Sequence, residues 1–421
     1  MIEAERSSLI SLLKEEICPA MGCTEPAAVA YAAATASKTL GCLPEEIVVT
    51  VSRNILKNAM GVGIPGTGMV GLPIAACLGA LCGDDREALA VLHRVTEEDM
   101  AAAQHMIGEH RVKIVLDEQA PKLYIDVSAH AQGHSARVII EGAHTNIRRV
   151  ELDGECLRTS GTTAADARKS EPVALSLEAI DRFVREAPGE SLLFLRECVE
   201  MNLAIAEEGL RNAYGLAIGQ SMAARGYRTE EEYATALTCA AADARMSGCL
   251  LPVMSLCGSG NQGLTAMLPV IAVCRARNLP EDTLLRALAY SMLVTIHVKR
   301  HLGKLTALCA CSVGASIGTA CALTYLDGGD LSDAGHCVDN VVADVAGVIC
   351  DGAKAGCSLK IATGVSSAFR SAMLAMRHHS ASPTDGIVGA DAEASVDNLA
   401  NLCNTGMLST DRVILDMLVS K

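Results

Sequence analysis

The sequence predicts an α+β protein: an N-terminal part with a small antiparallel sheet and flanking helices, then a mostly helical C-terminal domain. Three observations lead there. Across residues 112–157 apolar and polar side chains alternate with period two, as strands buried on one face require. From about Leu175 onward nearly every segment carries helical periodicity. Between them, residues 158–171 are small and polar and read as a linker. The expected domains are therefore residues 1–172, holding the sheet, and residues 173–421, holding the helices.

The elements follow in order. Residues 3–17 set Leu and Ile among Glu and Lys at helical spacing, an amphipathic helix that stops at Cys18-Pro19. The turn Met21-Gly22-Cys23 leads into an Ala-rich helix to about Leu40, with Pro26 in its first turn. Cys23 thus stands just before a helix N-terminus, where free N–H groups and the helix dipole favour a thiolate. A half-buried turn cysteine is the plainer reading of the same position. EIVVTVS, residues 46–52, reads as a strand.

Arg53, Asn54 and Lys57 come next, followed by a glycine-rich loop over residues 61–68. The loop lacks the Lys of a Walker motif and the glycine spacing of a dinucleotide fold. Its N–H groups suit a carboxylate, and the three polar residues are candidate partners for a small anion; a tight turn between helices explains it equally well. VKIVLD, KLYIDVSAH, SARVIIEG and NIRRVEL read as four strands, with Gln132-Gly133-His134 and Glu141-Gly142 as turns. Asp126, His130 and His144 read as solvated strand residues. In the helical half a second glycine-rich loop, residues 257–263, leads into a helix, and Asn261 and Gln262 there are suited to a polar ligand. VILDMLVSK closes the chain as an amphipathic helix.

Composition bounds the function. A net charge of −14 leaves no basic stripe for nucleic acid. With no Trp and three Phe, the core must be built from Ala, Leu, Val, Ile, Met and Cys, which lets helices approach closely. Eighteen cysteines are scattered through apolar runs and no secretory leader is read at the start, which points to free thiols in a reducing cytoplasm. Residues 58–83, 249–274 and 305–326 carry no charged side chain and are long enough to cross a bilayer, so a transporter of a small amino acid is a rival reading. The missing aromatic belts and the absence of a Lys/Arg loop bias favour a protein without membrane spans.

Two cysteine groups stand out: Cys309-Ala310-Cys311, and Cys350 with Cys357 in CDGAKAGC. Thiolates separated by small, flexible residues suit an iron–sulfur cluster, which the backbone must wrap closely. No C-x-x-C pair is present, so a zinc site of usual spacing fits poorly. Cysteine acting as a small buried hydrophobe is the alternative.

The motifs GCTEPAA, SRNILKNAMGVGIPGTG, CGSGNQG, ALCACSVG and CDGAKAGC, in that order from Met21 onward, resemble those of the L-cysteine desulfidases. These are related to the alpha-chain domain of iron–sulfur-dependent L-serine dehydratases. The resemblance implies a [4Fe–4S] cluster on three cysteines with one iron left open. Cys350 and Cys357 match the last two ligands. The first is Cys311, which Lys299 precedes by twelve positions as in the serine dehydratases; Cys309 is the reserve. Cys23 matches the family's base. Arg53, Asn54, Lys57, Gly66, Ser259 and Asn261 are the expected substrate contacts, with the two glycine-rich loops holding carboxylate and amine.

The implied activity is that of a lyase in cysteine catabolism, turning L-cysteine into pyruvate, ammonia and hydrogen sulfide without pyridoxal phosphate. Lys57, Lys299, Lys304, Lys354 and Lys360 leave Schiff-base chemistry formally open, though none has the context of a cofactor site. The chain departs from the serine dehydratases in a shorter Cys350–Cys357 spacing and in Gly22-Cys23-Thr24 replacing Ser-His-Thr. Both departures favour cysteine over serine as substrate. An L-serine dehydratase and a non-catalytic cluster-bearing sensor are the other readings. The expected partner is a small amino acid, with neither nucleic acid nor membrane; a homo-oligomer is left open.

Overall fold

The computed structural model describes residues 3–159, 175–303 and 306–420. Of the linker read over residues 158–171, Arg158 and Thr159 belong to the strand Glu155–Thr159; residues 160–171, the boundary at 172/173 and Lys304 fall outside the described residues. The fold is α+β, with two hydrophobic cores.

The first core is a sheet covered by helices. Strands β1 (Ile17–Ala20), β2 (Glu46–Ser52), β3 (Val112–Asp117), β4 (Tyr124–Ala131), β5 (His134–Glu141), β6 (Ile147–Leu152), β7 (Glu155–Thr159) and β8 (Val253–Leu256) occur in chain order. Six of them form one sheet in the order β3-β2-β4-β5-β6-β7. Every neighbouring pair is antiparallel except β2 and β3, which run parallel, so the expected antiparallel sheet is mixed at one edge. The reason is the connection: β2 and β3 are joined through helices, not a hairpin, and a crossover of that length permits parallel pairing. Alternation sets the faces. Ile47, Val49 and Val51 are fully buried, and the helix Thr24–Leu40 lies over them within the same core. β7 was not among the expected strands. Its signal was Asp153-Gly154, whose φ values of 49° and 81° repeat those of the expected Gln132-Gly133 turn, 53° and 82°.

Helix Thr24–Leu40 packs on helix Leu72–Cys82 through small side chains. A Cβ on Gly79 would meet the carbonyl oxygen of Ala30 at 2.3 Å, so the two backbones approach as closely as only glycine allows. This is the packing that a core short of aromatic residues predicts.

The second core holds the long helices Glu230–Met246, Gly260–Ala276, Glu281–Leu302, Gly314–Leu326, Leu331–Val345 and Cys357–Ala375. The opening helix Glu3–Glu16 belongs to this core through Leu9, Leu12 and Leu13. Strand β1 fastens it there by pairing antiparallel with β8, Cys18 opposite Ser255. The Ser255 hydroxyl also donates to the Cys18 carbonyl at 2.6 Å. That pairing carries the Gly22-Cys23 turn onto the second core.

Among the described residues no helix is long and apolar enough to cross a membrane. Among the described residues, the three charge-free stretches each divide between loop and helix, with β8 in the second. They are apolar because they are buried between helices.

Candidate active site

One cavity of about 600 Å³ lies where the two cores meet, and it collects the residues from distant parts of the chain. Its wall includes Cys23, Cys309, Cys311, Cys350 and Cys357. Local structure explains each placement. The Cys309 amide donates to the Val348 carbonyl at 2.8 Å and the Cys350 amide to Ala307 at 2.6 Å, so the two cysteine segments are laced side by side. Cys357 opens the helix Cys357–Ala375. Cys23 is the N-cap of Thr24–Leu40 and packs with Val62 and Met246, against which Ala353 and Cys357 also rest.

The thiols differ electrically. A hydrogen bond from Cys309, with further help from Ser259, Lys299 and Arg245, lowers Cys311 below the usual thiol range despite its burial. Cys309 is raised well above its usual value as the donor in that bond and by burial. Burial pushes Cys357 up to about 11. The thiolate expected at Cys23 is not what the fold favours. Burial outweighs the helix N-terminus and pushes the thiol up to about 12, with Arg245 as the first opposing charge. The lowered thiol is Cys311 instead.

Of the expected substrate contacts, Asn54, Lys57, Ser259 and Asn261 line this cavity. Lys57 is nevertheless committed: its ammonium, 3 % exposed, pairs with Asp411 at 2.5 Å. The Ser259 hydroxyl stands 3.3 Å from Cys311 Sγ, and Asn261 Oδ1 accepts from Arg245 at 3.0 Å. Arg53 and Gly66 are not on this wall. Arg53 donates to Glu118 at 2.8 Å and lines a neighbouring cavity that Asn54 also borders, the helix Arg53–Ala59 carrying Asn54 but not Arg53 onto the cysteine wall. Gly66 donates its amide to the Gly248 carbonyl and is absent from the cysteine wall. Lys354 and Lys360 both pair with Asp351.

Several wall residues escaped the sequence. Arg245 is 5 % exposed, donates to the Gly22 carbonyl at 2.7 Å and reaches Cys23 Sγ at 3.8 Å. Glycine at position 260 makes room for it, since a Cβ there would meet Arg245 Nε at 2.3 Å. Glu25, Asn58 and Cys257 line the cavity as well. His144, read as a solvated strand residue, is also on the wall, 4.0 Å from Glu25. Asp126 is likewise buried and bound by Arg137 at 2.7 Å.

Comparison with known proteins agrees with the motifs. The family model described as the serine dehydratase alpha chain matches residues 86–416. A UPF0597 protein of Oleidesulfovibrio alaskensis is 44% identical, and one of Bacteroides fragilis 42%, each over 100% of both chains. A UPF0597 protein of Clostridium perfringens is 37% identical over 99% of each chain. With a family match across most of its length and relatives aligned end to end, this chain belongs to the serine dehydratase alpha chain family.

Proposed function

We propose that the protein is a cytoplasmic lyase of amino-acid degradation, a cysteine desulfidase that eliminates sulfide from L-cysteine at a [4Fe–4S] cluster held by Cys311, Cys350 and Cys357. The observation that carries the proposal is the convergence of these three thiols, with Cys309 and Cys23, on one cavity. The donor set suits such a cluster: soft sulfur ligands, one already favoured as thiolate, from chain segments laced together. Among the described residues no three His, Cys, Asp or Glu side chains close on a single ion. A cubane is a wider body than one ion, and its sulfur ligands stand apart. When bound, the cluster would supply a Lewis-acidic iron for the departing thiolate.

The remaining work falls to this chain's own side chains. Cys23 takes the α-proton of the substrate. Because burial holds it as a thiol, it must first lose its own proton, and the positive charges able to favour that are Arg245 and the entering substrate ammonium. Arg245 also fixes the Gly22-Cys23 turn. Ser259 keeps Cys311 oriented, and Asn261 holds Arg245. Departure of sulfide as the α-proton leaves gives aminoacrylate, which tautomerises to the imine and takes up water to release pyruvate and ammonia. Eighteen free thiols suit the reducing cytoplasm.

The test is anaerobic loading with iron and sulfide. The loaded chain should hold about four irons and four sulfides, as a cubane requires, and release sulfide and pyruvate in equal amounts from L-cysteine. Cys350→Ser and Cys357→Ser should abolish iron binding, and comparing Cys311→Ser with Cys309→Ser identifies the remaining ligand. Full loading of either of the first two variants removes that residue from the ligand set, and faster turnover of L-serine would assign the protein as a dehydratase.

A further inference from the structure

Among the described residues, the cavity wall carries buried polar atoms without hydrogen-bond partners, and they are of complementary kinds. Gln262 is 1 % exposed, yet neither its Nε2 nor its Oε1 has a hydrogen-bond partner. Asn58 donates through Nδ2 to Glu25 Oε1 at 3.0 Å, while its buried Oδ1 has no partner. Glu25 is 7 % exposed, and its second oxygen accepts from the Thr24 hydroxyl at 3.1 Å. Gln262, Asn58 and Glu25 all line the cavity that holds the cysteines. A buried amide with both ends unpaired is unfavourable unless a ligand completes it.

The two halves ask for different groups. Glu25 with Asn58 Oδ1 offers a carboxylate and a carbonyl acceptor side by side, suited to a group that is cationic and rich in N–H donors. Gln262 offers one donor and one acceptor, so it meets an acceptor and a donor on the same ligand. A free α-amino acid carries that combination: an ammonium with three donors beside a carboxylate with only acceptors. We propose that Glu25, Asn58 and Gln262 form the clamp that recognises the free α-ammonium and α-carboxylate of the substrate.

In this clamp Glu25 and Asn58 take the ammonium, and Gln262 bridges the ammonium and the carboxylate through its two amide atoms. The assignment rests on the amino-acid lyase reading of the cavity and sharpens it. The substrate must be the free amino acid, because N-acylation removes donors and the charge, and esterification removes the carboxylate. Peptide hydrolysis or another reaction that frees both groups must therefore precede this enzyme. The clamp also accounts for the Glu of the GCTEP motif, which the elimination step leaves without a role.

The test separates the two ends. Full-length protein, anaerobic, reduced and not loaded with iron, is titrated calorimetrically with L-cysteine, with cysteamine, which lacks the carboxylate, and with 3-mercaptopropionate, which lacks the ammonium. Wild type should bind L-cysteine at least tenfold more tightly than either fragment. Glu25→Gln should weaken L-cysteine and cysteamine at least tenfold and leave 3-mercaptopropionate within twofold. Gln262→Met should weaken both fragments. Asn58→Leu carries the same expectation as Glu25→Gln and serves if that variant does not fold. Equal weakening of both fragments by Glu25→Gln or Asn58→Leu would mark a merely structural role and overturn the proposal. So would wild-type binding that does not discriminate among the three ligands. If the clamp pattern holds while the loaded enzyme releases no sulfide, the lyase reading alone falls; sulfide release without the pattern removes the clamp alone.

Discussion

Arg245→Met removes the one buried guanidinium that reaches Cys23. The magnitude follows from the contact. An opposite charge within about 4–6 Å lowers an acid by about one to three pH units, and Arg245 stands 3.8 Å from Cys23 Sγ. With the charge gone, Cys23 rises further from its value of about 12. Below that value each unit of rise cuts the thiolate fraction tenfold, so kcat/KM at fixed neutral pH should fall about ten- to a thousandfold. The assay is sulfide release from L-cysteine across pH with matched iron content. The rising limb of the profile should move to higher pH. Arg245→Lys is the companion: it keeps the charge but lacks the planar fork whose two nitrogens donate separately to Gly22 and Asn261. It should shift the limb less than Arg245→Met while losing about 1.5–3 kcal/mol of stability for the missing charged hydrogen bond. A uniform drop in rate with an unmoved pH profile in Arg245→Met would refute the reasoning, leaving Arg245 as a brace for the turn.

Cys23→Ala should leave iron loading intact while turnover falls by about two to four orders of magnitude, the usual worth of a general base. Cys18→Ala, outside the cavity, should be mild by comparison. Asp411→Asn leaves the buried Lys57 ammonium facing a neutral partner, and since Asp411 is itself partly exposed the cost should be about 1–3 kcal/mol by urea denaturation; no change in midpoint would mean that Lys57 finds another partner. Burial pushes Cys198 and Cys337 from 9.0 up to about 12, so their neutral forms stabilise the fold fully below pH 9 and that contribution is lost as pH rises towards 12. Cys198→Ala should therefore flatten the alkaline fall in stability by about 1.4 kcal/mol per pH unit between those limits, and an unchanged slope would show that the unfolded chain keeps this thiol equally shielded.

What the sequence made legible were features carried by local spacing. Alternation located β2 through β6 because each strand buries one face, and a one-residue slip of register would turn the whole apolar set to the other face. CAC and CDGAKAGC stood out because they are short runs of cysteines with small residues between, and the fold brings both onto one cavity wall. Arg245 was not. It sits in the last turn of an Ala-rich helix, where a base ordinarily complements the helix dipole at the surface. Residues 234–246 are all buried, and the signal was that Asp243 and Arg245 are the charged residues in that run of small side chains. Arg53 misled for the converse reason. Read as the end of a strand before a loop, it shared a site with Asn54; in a helix its neighbours lie about 100° away on the axis. Asn54 and Asn58, one turn apart, face the cysteines, while Arg53 meets Glu118.

The same contrast explains why the site lies at the junction of two cores. The side of the wall carrying Cys23, the proposed base, with Glu25 and Asn58 is delivered by the N-terminal part of the chain, and the thiols proposed as ligands by the helical half. Neither set has a site without the other. What brings them together includes four residues of β1 paired with β8, the bridge of Gly61 to Lys354, the amides of Gly63 and Gly66 on the carbonyls of Met246 and Gly248, the pair of Lys57 with Asp411, and the small cluster of Cys23, Val62 and Met246. The fork of Arg245 spans the same seam, from the loop of Asn261 to the turn of Cys23. A change in the seam therefore moves the proposed base relative to the proposed ligands, so rate should be lost before stability is. An Arg at this seam is suited to both tasks, because its planar fork fixes distance while its charge acts on the thiol it touches.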